Sequence, residues 1–114
     1  MSSTGRDFWG PPLWKTIHTF AATLTPETAD SYIKFLYTTA SLLPCKECKE
    51  NFKKLLKQYP PAQYITNNNN DAFFYSYLLH DVKNRSLGKK SPPFDDVKSY
   101  YFRSLGDECE NCKV

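Results

Sequence analysis

The sequence predicts an all-α protein, a four-helix bundle plus a short fifth helix. Apolar residues recur at helical spacing in five segments, Pro and Gly punctuate the gaps between them, and neither a βαβ pattern nor a run of alternating strands occurs. In the first segment, Leu13, Trp14, Ile17, Phe20, Ala21 and Leu24 share one broad face, so a helix over 13–24 is expected, entered through Gly10-Pro11-Pro12. Thr25-Pro26-Glu27 then supplies a capping residue and a proline suited to a first helical position, and Ala29, Tyr32, Ile33, Leu36, Tyr37 and Ala40 continue the pattern. This second helix should stop at Leu43, because a residue before proline is pushed out of the helical region. A third helix is expected from Pro44 to Tyr59, with Cys48, Phe52, Leu55, Leu56 and Tyr59 on its apolar side and lysines opposite. Pro60-Pro61 ends it, and Thr66 to Asn70 reads as a loop whose last Asn, or Asp71, caps a fourth helix over 72–87 before Gly88. A short fifth helix over 95–105 follows Pro92-Pro93 and precedes Gly106.

A chain of 114 residues supports one core, which excludes an enzyme with a separate cofactor domain. The expected organisation is a flexible N-terminus (1–8), a single domain (9–105) and a tail (106–114). A net charge of +3, spread along the chain, gives no reason to expect nucleic acid, and the 16% aromatic content reads as core and interface. There is neither a secretory signal nor an apolar run approaching the roughly 18 residues of a membrane span, so no membrane partner and a cytoplasmic address are expected.

The four cysteines form two pairs, Cys45-Lys46-Glu47-Cys48 and Cys109-Glu110-Asn111-Cys112. They are too few for a disulfide scaffold, which takes roughly 8–10% cysteine. The first pair opens a helix, where unpaired N–H groups and the macrodipole favour thiolates. Reactive dithiols and zinc sites both need thiolates. Sixty residues separate the pairs, against roughly 15–20 in compact zinc ribbons, yet a zinc-stapled interaction module using all four cysteines remains a geometric alternative.

Longer stretches carry more than the spacing does. Trp9-Gly10-Pro11-Pro12-Leu13-Trp14-Lys15-Thr16-Ile17-His18, then Pro44-Cys45-Lys46-Glu47-Cys48 with Phe52, then His80 through Asn84 to Leu87-Gly88-Lys89 and Phe94-Asp95 resemble, in order and spacing, the Erv/ALR family of FAD-linked sulfhydryl oxidases. The resemblance implies a homodimeric helical bundle that holds FAD at one end and oxidises thiol-containing substrate proteins, with O2 as acceptor and H2O2 as product. It implies Cys45–Cys48 as the catalytic disulfide, with Cys48 beside the flavin and Cys45 more accessible, and Cys109/Cys112 as a shuttle disulfide. Trp14 and His18 match residues touching the flavin, Gly10 a close backbone approach, His80 and Asn84 the adenosine side, and Lys89 the phosphates. Trp9, Leu13, Tyr77, Leu87 and Tyr101 complete the implied FAD contacts, and no metal is implied. The chain departs from the family in having Asp81 for an asparagine, Tyr75 for a tryptophan, Leu43 for a tyrosine and Pro11 for a basic residue. It lacks the C-terminal tryptophan that stacks on adenine; Tyr101 or Tyr100 is the nearest aromatic. A compact form without a targeting segment fits the family's viral members, and hence a host cytoplasm or virion.

Overall fold

A computed structural model describes residues 5–106. Every regular element in that range is helical: α1 (Arg6–Ala22), α2 (Ala29–Leu42), α3 (Lys46–Gln58), α4 (Pro61–Tyr64), α5 (Asn69–Ser86) and α6 (Phe94–Leu105). α1 packs chiefly on α5, α2 on α3, and α6 lies across α1 and α5. Ile17, Leu36, Leu56, Phe73, Tyr75 and Leu79 are the largest apolar side chains sealed in the core. No helix among the described residues is long and apolar enough to cross a membrane.

α1 begins seven residues before the expected Leu13, so the predicted domain start at residue 9 falls inside it. Gly5 enters it with φ +69°, a left-handed conformation that glycine adopts without strain, and its carbonyl accepts the N–H groups of Phe8 and Trp9. Pro11 and Pro12 lie within the helix rather than ahead of it. Proline's φ is helical, and the bonds it forfeits are those to the carbonyls four residues back, Asp7 and Phe8, in the first turn. α2 starts three residues after Pro26, because Thr28 and not Thr25 organises the entry: Thr28 Oγ1 accepts the Thr25 backbone N–H at 2.9 Å. Its end agrees with the sequence. Leu43 is extended (φ −58°, ψ 143°), as a residue before proline prefers.

α4 is not expected from the sequence. Pro60-Pro61 does end α3, but Pro61 then opens a single turn whose Tyr64 packs on Tyr75 of α5 at 5.4 Å. Asn68, two residues before the expected Asn70, caps α5 by accepting the Asp71 N–H at 2.8 Å. At the other end Gly88 (φ +72°) donates to Arg85 O and Lys89 donates to Asn84 O, a Schellman closure that turns the chain toward α6. Two hydroxyls tie helices together: Tyr32 to Ile17 O at 3.0 Å and Tyr75 to Tyr59 O at 2.6 Å.

Candidate functional site

The site is built from the start of α3, the faces of α1 and α5, and the middle of α6. Cys45 is the N-cap of α3 and its sulfur accepts the Cys48 backbone N–H at 3.0 Å. The two residues are joined as a disulfide with their Cα atoms 5.2 Å apart. Cys48 is 6% exposed, whereas Cys45 is only half-buried. Cys45 is thus the more exposed of the two cysteines.

Cys48 forms part of the wall of a cleft of about 830 Å³. Trp9, Gly10, Leu13 and Trp14 of α1 line it, together with Phe52 and Leu55 of α3, His80, Asn84 and Leu87 of α5, Lys89, and Tyr101 of α6. Nine of the eleven residues expected to contact a cofactor thus converge on the cavity that contains Cys48. Gly10 presents bare backbone there, since a Cβ built on it would meet no atom within 4 Å and would occupy open space. His18 and Tyr77 do not reach the main cleft. They line an adjoining cavity of about 140 Å³ with Asp81, Ser91 and Pro92, and His80, Asn84 and Tyr101 face both spaces.

Aromatic packing orders the boundary between the cavities. Trp14 and His80 lie face to face, with centroids 4.2 Å apart and planes 5° apart. Behind them His18 Nε2 is 3.0 Å from His80 Nδ1. Burial, reinforced by His80, holds the His18 pKa down at about 3. His80 is also shifted down, by burial and by Lys89, with Asp81 opposing. Both rings are therefore neutral at pH 7.

This burial makes stability fall in acid. Above pH 6.5 His18 is neutral whether the chain is folded or not. From pH 6.5 down towards 3 the unfolded chain takes up a proton that the folded site excludes, so each pH unit favours unfolding. At 1.36 kcal/mol per unit, His18 alone should lower stability by about 2 kcal/mol between pH 7 and pH 5. Urea unfolding at the two pH values measures this, and His18→Asn should flatten the dependence; an equal slope in both proteins would contradict it.

Sequence reasoning missed the cations of the cleft, Arg6, Lys54 and Lys83. Lys83 was detectable in principle, because His80, Lys83, Asn84 and Leu87 follow the i, i+3, i+4, i+7 pattern of one helix face. Asn84 spends its amide on Ser91 Oγ at 3.0 Å, a contact supplied by the long link between α5 and α6. Asp81, in place of the family's asparagine, pairs with Arg85 at 3.1 Å. The second cysteine pair, required both by the shuttle reading and by the zinc reading, lies outside the described residues. Among the described residues no three His, Cys, Asp or Glu side chains gather as a metal site.

Comparison with known proteins supplies the family. The model of the Erv1 / Alr family matches residues 11–102. The chain belongs to the Erv1/Alr family. Among similar proteins is an African swine fever virus FAD-linked sulfhydryl oxidase, 28% identical over 110 residues that cover 93% of this chain and 90% of the viral protein. A second isolate's FAD-linked sulfhydryl oxidase is 26% identical over 101 residues, 85% of this chain and 82% of its own length. The FAD-linked sulfhydryl oxidase ERV1 of Oryza sativa subsp. japonica is 33% identical over 96 residues, 79% of this chain but 47% of the rice protein. The Erv1/Alr match contains both Cys45 and Cys48 and every expected cofactor residue except Trp9 and Gly10.

Proposed function

We propose that this chain is an FAD-dependent sulfhydryl oxidase that makes disulfides in substrate proteins through Cys45 and Cys48. The observation that carries the reading is the position of the Cys45–Cys48 disulfide, which joins a half-buried residue to a buried one that lines a large cleft. The cleft also suits FAD. Its volume falls within the roughly 300–1,000 Å³ of ligand sites, Trp9, Trp14, Phe52 and Tyr101 offer flat apolar surfaces, and Arg6, Lys54, Lys83 and Lys89 offer cations for a pyrophosphate. Bare backbone at Gly10 leaves room for close approach.

A substrate thiolate attacks Cys45 Sγ, forming a mixed disulfide and releasing Cys48 as a thiolate. The substrate's second thiolate then attacks its own sulfur in that mixed disulfide, leaving with a complete disulfide and freeing Cys45. Two electrons now reside on the Cys45/Cys48 dithiol. Cys45, at the N-cap, is stabilised as an anion by the Cys48 N–H, and both sulfurs sit at the positive end of the α3 macrodipole. Burial of Cys48 keeps competing thiols from the sulfur in the cleft wall. Trp14, His80, Asn84, Lys89 and Tyr101 would hold FAD in this cleft, where it would supply a two-electron acceptor for the dithiol and a route to O2 with H2O2 as product.

The reading extends to Cys109/Cys112 as a shuttle pair carrying electrons from bulky substrates to Cys45, and to a homodimer, for which exposed Phe20, Tyr37 and Leu42 provide apolar surface. Similarity to viral proteins supports a place in the host cytoplasm or the virion. The test is the visible spectrum of the purified protein together with oxygen uptake. Flavin absorption and dithiol-dependent oxygen consumption are expected. A colourless protein that FAD cannot reconstitute would falsify the proposal.

A further inference from the structure

We propose that Ser76 is a positioning residue which, through His18, fixes His80 Nε2 as a hydrogen-bond acceptor towards the cleft, so that the ligand group facing His80 must be an N–H or O–H donor. The relay is independent of what binds; naming FAD as its ligand rests on the proposed function.

The direction of each hydrogen bond follows from one proton. The Ser76 hydroxyl, wholly buried on α5, lies 2.7 Å from Phe73 O and 2.8 Å from His18 Nδ1. A carbonyl oxygen only accepts, so the hydroxyl hydrogen must point at Phe73 O; directed elsewhere, it would leave two oxygens in contact at 2.7 Å with nothing between them. Ser76 Oγ then accepts, and His18 Nδ1 donates to it. A neutral imidazole has one N–H, so His18 Nε2 carries a lone pair. His80 Nδ1, 3.0 Å away, must be the donor. By the same rule its Nε2 is unprotonated.

That nitrogen is the open end of the chain of bonds. It has no hydrogen-bond partner among the described residues, none of which leaves a buried side-chain nitrogen or oxygen unsatisfied, so His80 Nε2 is accessible, and His80 lines both cavities. The chemistry expected opposite it is specific. FAD carries donors at its flavin N3–H, its ribityl and ribose hydroxyls and its adenine amine, whereas its phosphates and flavin carbonyls only accept. The relay selects one of the former and rejects the latter. The directing residue is four positions before His80 on the same helix, with His18 supplied from α1.

The chain has only two histidines, which makes the test direct. Long-range 1H–15N correlation spectra of uniformly 15N-labelled protein at pH 7, without FAD, should show both rings protonated at Nδ1. A His80 proton on Nε2 would overturn the proposal whatever any variant does. Ser76→Ala removes the acceptor, so His18 should move its proton to Nε2 and donate to His80, inverting both tautomers and presenting an N–H to the ligand. Ser76→Thr, which keeps the hydroxyl, should retain the native pattern; unchanged tautomers in Ser76→Ala would remove Ser76 from the role. FAD loading should shift the His80 Nε2 resonance, and Ser76→Ala should bind FAD about tenfold more weakly. FAD that binds without moving that resonance would refute the donor assignment, while failure to bind FAD at all would instead refute the proposed function and leave the relay readout intact.

Discussion

Cys48→Ser should lose thiol-dependent oxygen uptake by about a thousandfold or more, which is about 4 kcal/mol of barrier at 1.36 kcal/mol per factor of ten. A hydroxyl cannot form the disulfide that stores the electron pair, and Cys45 alone can only exchange with one thiol at a time. The fold should survive, because the α3 cap uses the Cys48 backbone N–H and not its side chain. Cys45→Ser should be equally inactive and retain its stability better than most substitutions at a buried edge, since serine is among the preferred N-cap residues and can accept the same N–H. The two variants differ in what they trap. Cys48→Ser leaves the half-buried Cys45 to accumulate mixed disulfides with substrate, whereas Cys45→Ser leaves a thiol 6% exposed that substrates do not reach. Oxygen electrode traces and mass spectrometry of the unreduced protein read both effects, and sustained oxygen uptake by Cys48→Ser would eliminate Cys48 as the electron donor. Cys109→Ser with Cys112→Ser should by contrast oxidise small dithiols normally and protein thiols slowly; equal losses for both substrates would end the shuttle reading.

The parts of this molecule legible in the sequence are those governed by local periodicity. The faces of α2, α3 and α5 follow from apolar spacing, and Cys45 could be placed at a helix start because proline precedes it. Competition between local signals hid the rest. Pro11 and Pro12 read as an entry, yet the helix absorbs them because the lost bonds fall in its first turn. Thr25 reads as the cap of α2, yet its own N–H is bound by Thr28 Oγ1 and the helix starts after Thr28. α4 spans four residues, too few to show a period. The same division holds in the site. Trp14 with His18, and His80 with Asn84, announce themselves as i, i+4 pairs, but the contact between His18 and His80 joins residues 62 apart and depends on how α1 packs on α5. Ser76 has no sequence signal beyond its position four before His80, because its importance lies in a bond across that interface.

Phe73→Ala should destabilise the FAD-free protein by about 3–5 kcal/mol, the usual cost of removing a core aromatic ring. Phe73 has no exposed surface and stands where three helices meet. Its ring lies 5.4 Å from Phe102, 5.6 Å from Tyr101 and 6.2 Å from Phe94 on α6, and 5.7 Å from His18 on α1. α6 has no fully buried residue of its own, so its hold on the bundle depends on the aromatic surface that Phe73 provides. Against a total of roughly 5–15 kcal/mol the loss is a large fraction of the stability. At about 4–8 °C per kcal/mol it should lower the melting temperature by about 12–40 °C. Phe74, the next residue, is 49% exposed and should cost about 1 kcal/mol or less as alanine. FAD at a hundredfold excess over its dissociation constant adds about 2.7 kcal/mol to the native state. That rescue should be incomplete in Phe73→Ala, since Tyr101 and His18, both at the ligand cavities, lose the ring that backs them. Thermal melts of both variants with and without FAD separate the effects. Equal shifts for Phe73→Ala and Phe74→Ala would mean that α6 is anchored elsewhere and that Tyr101 holds its place at the cleft without support from beneath.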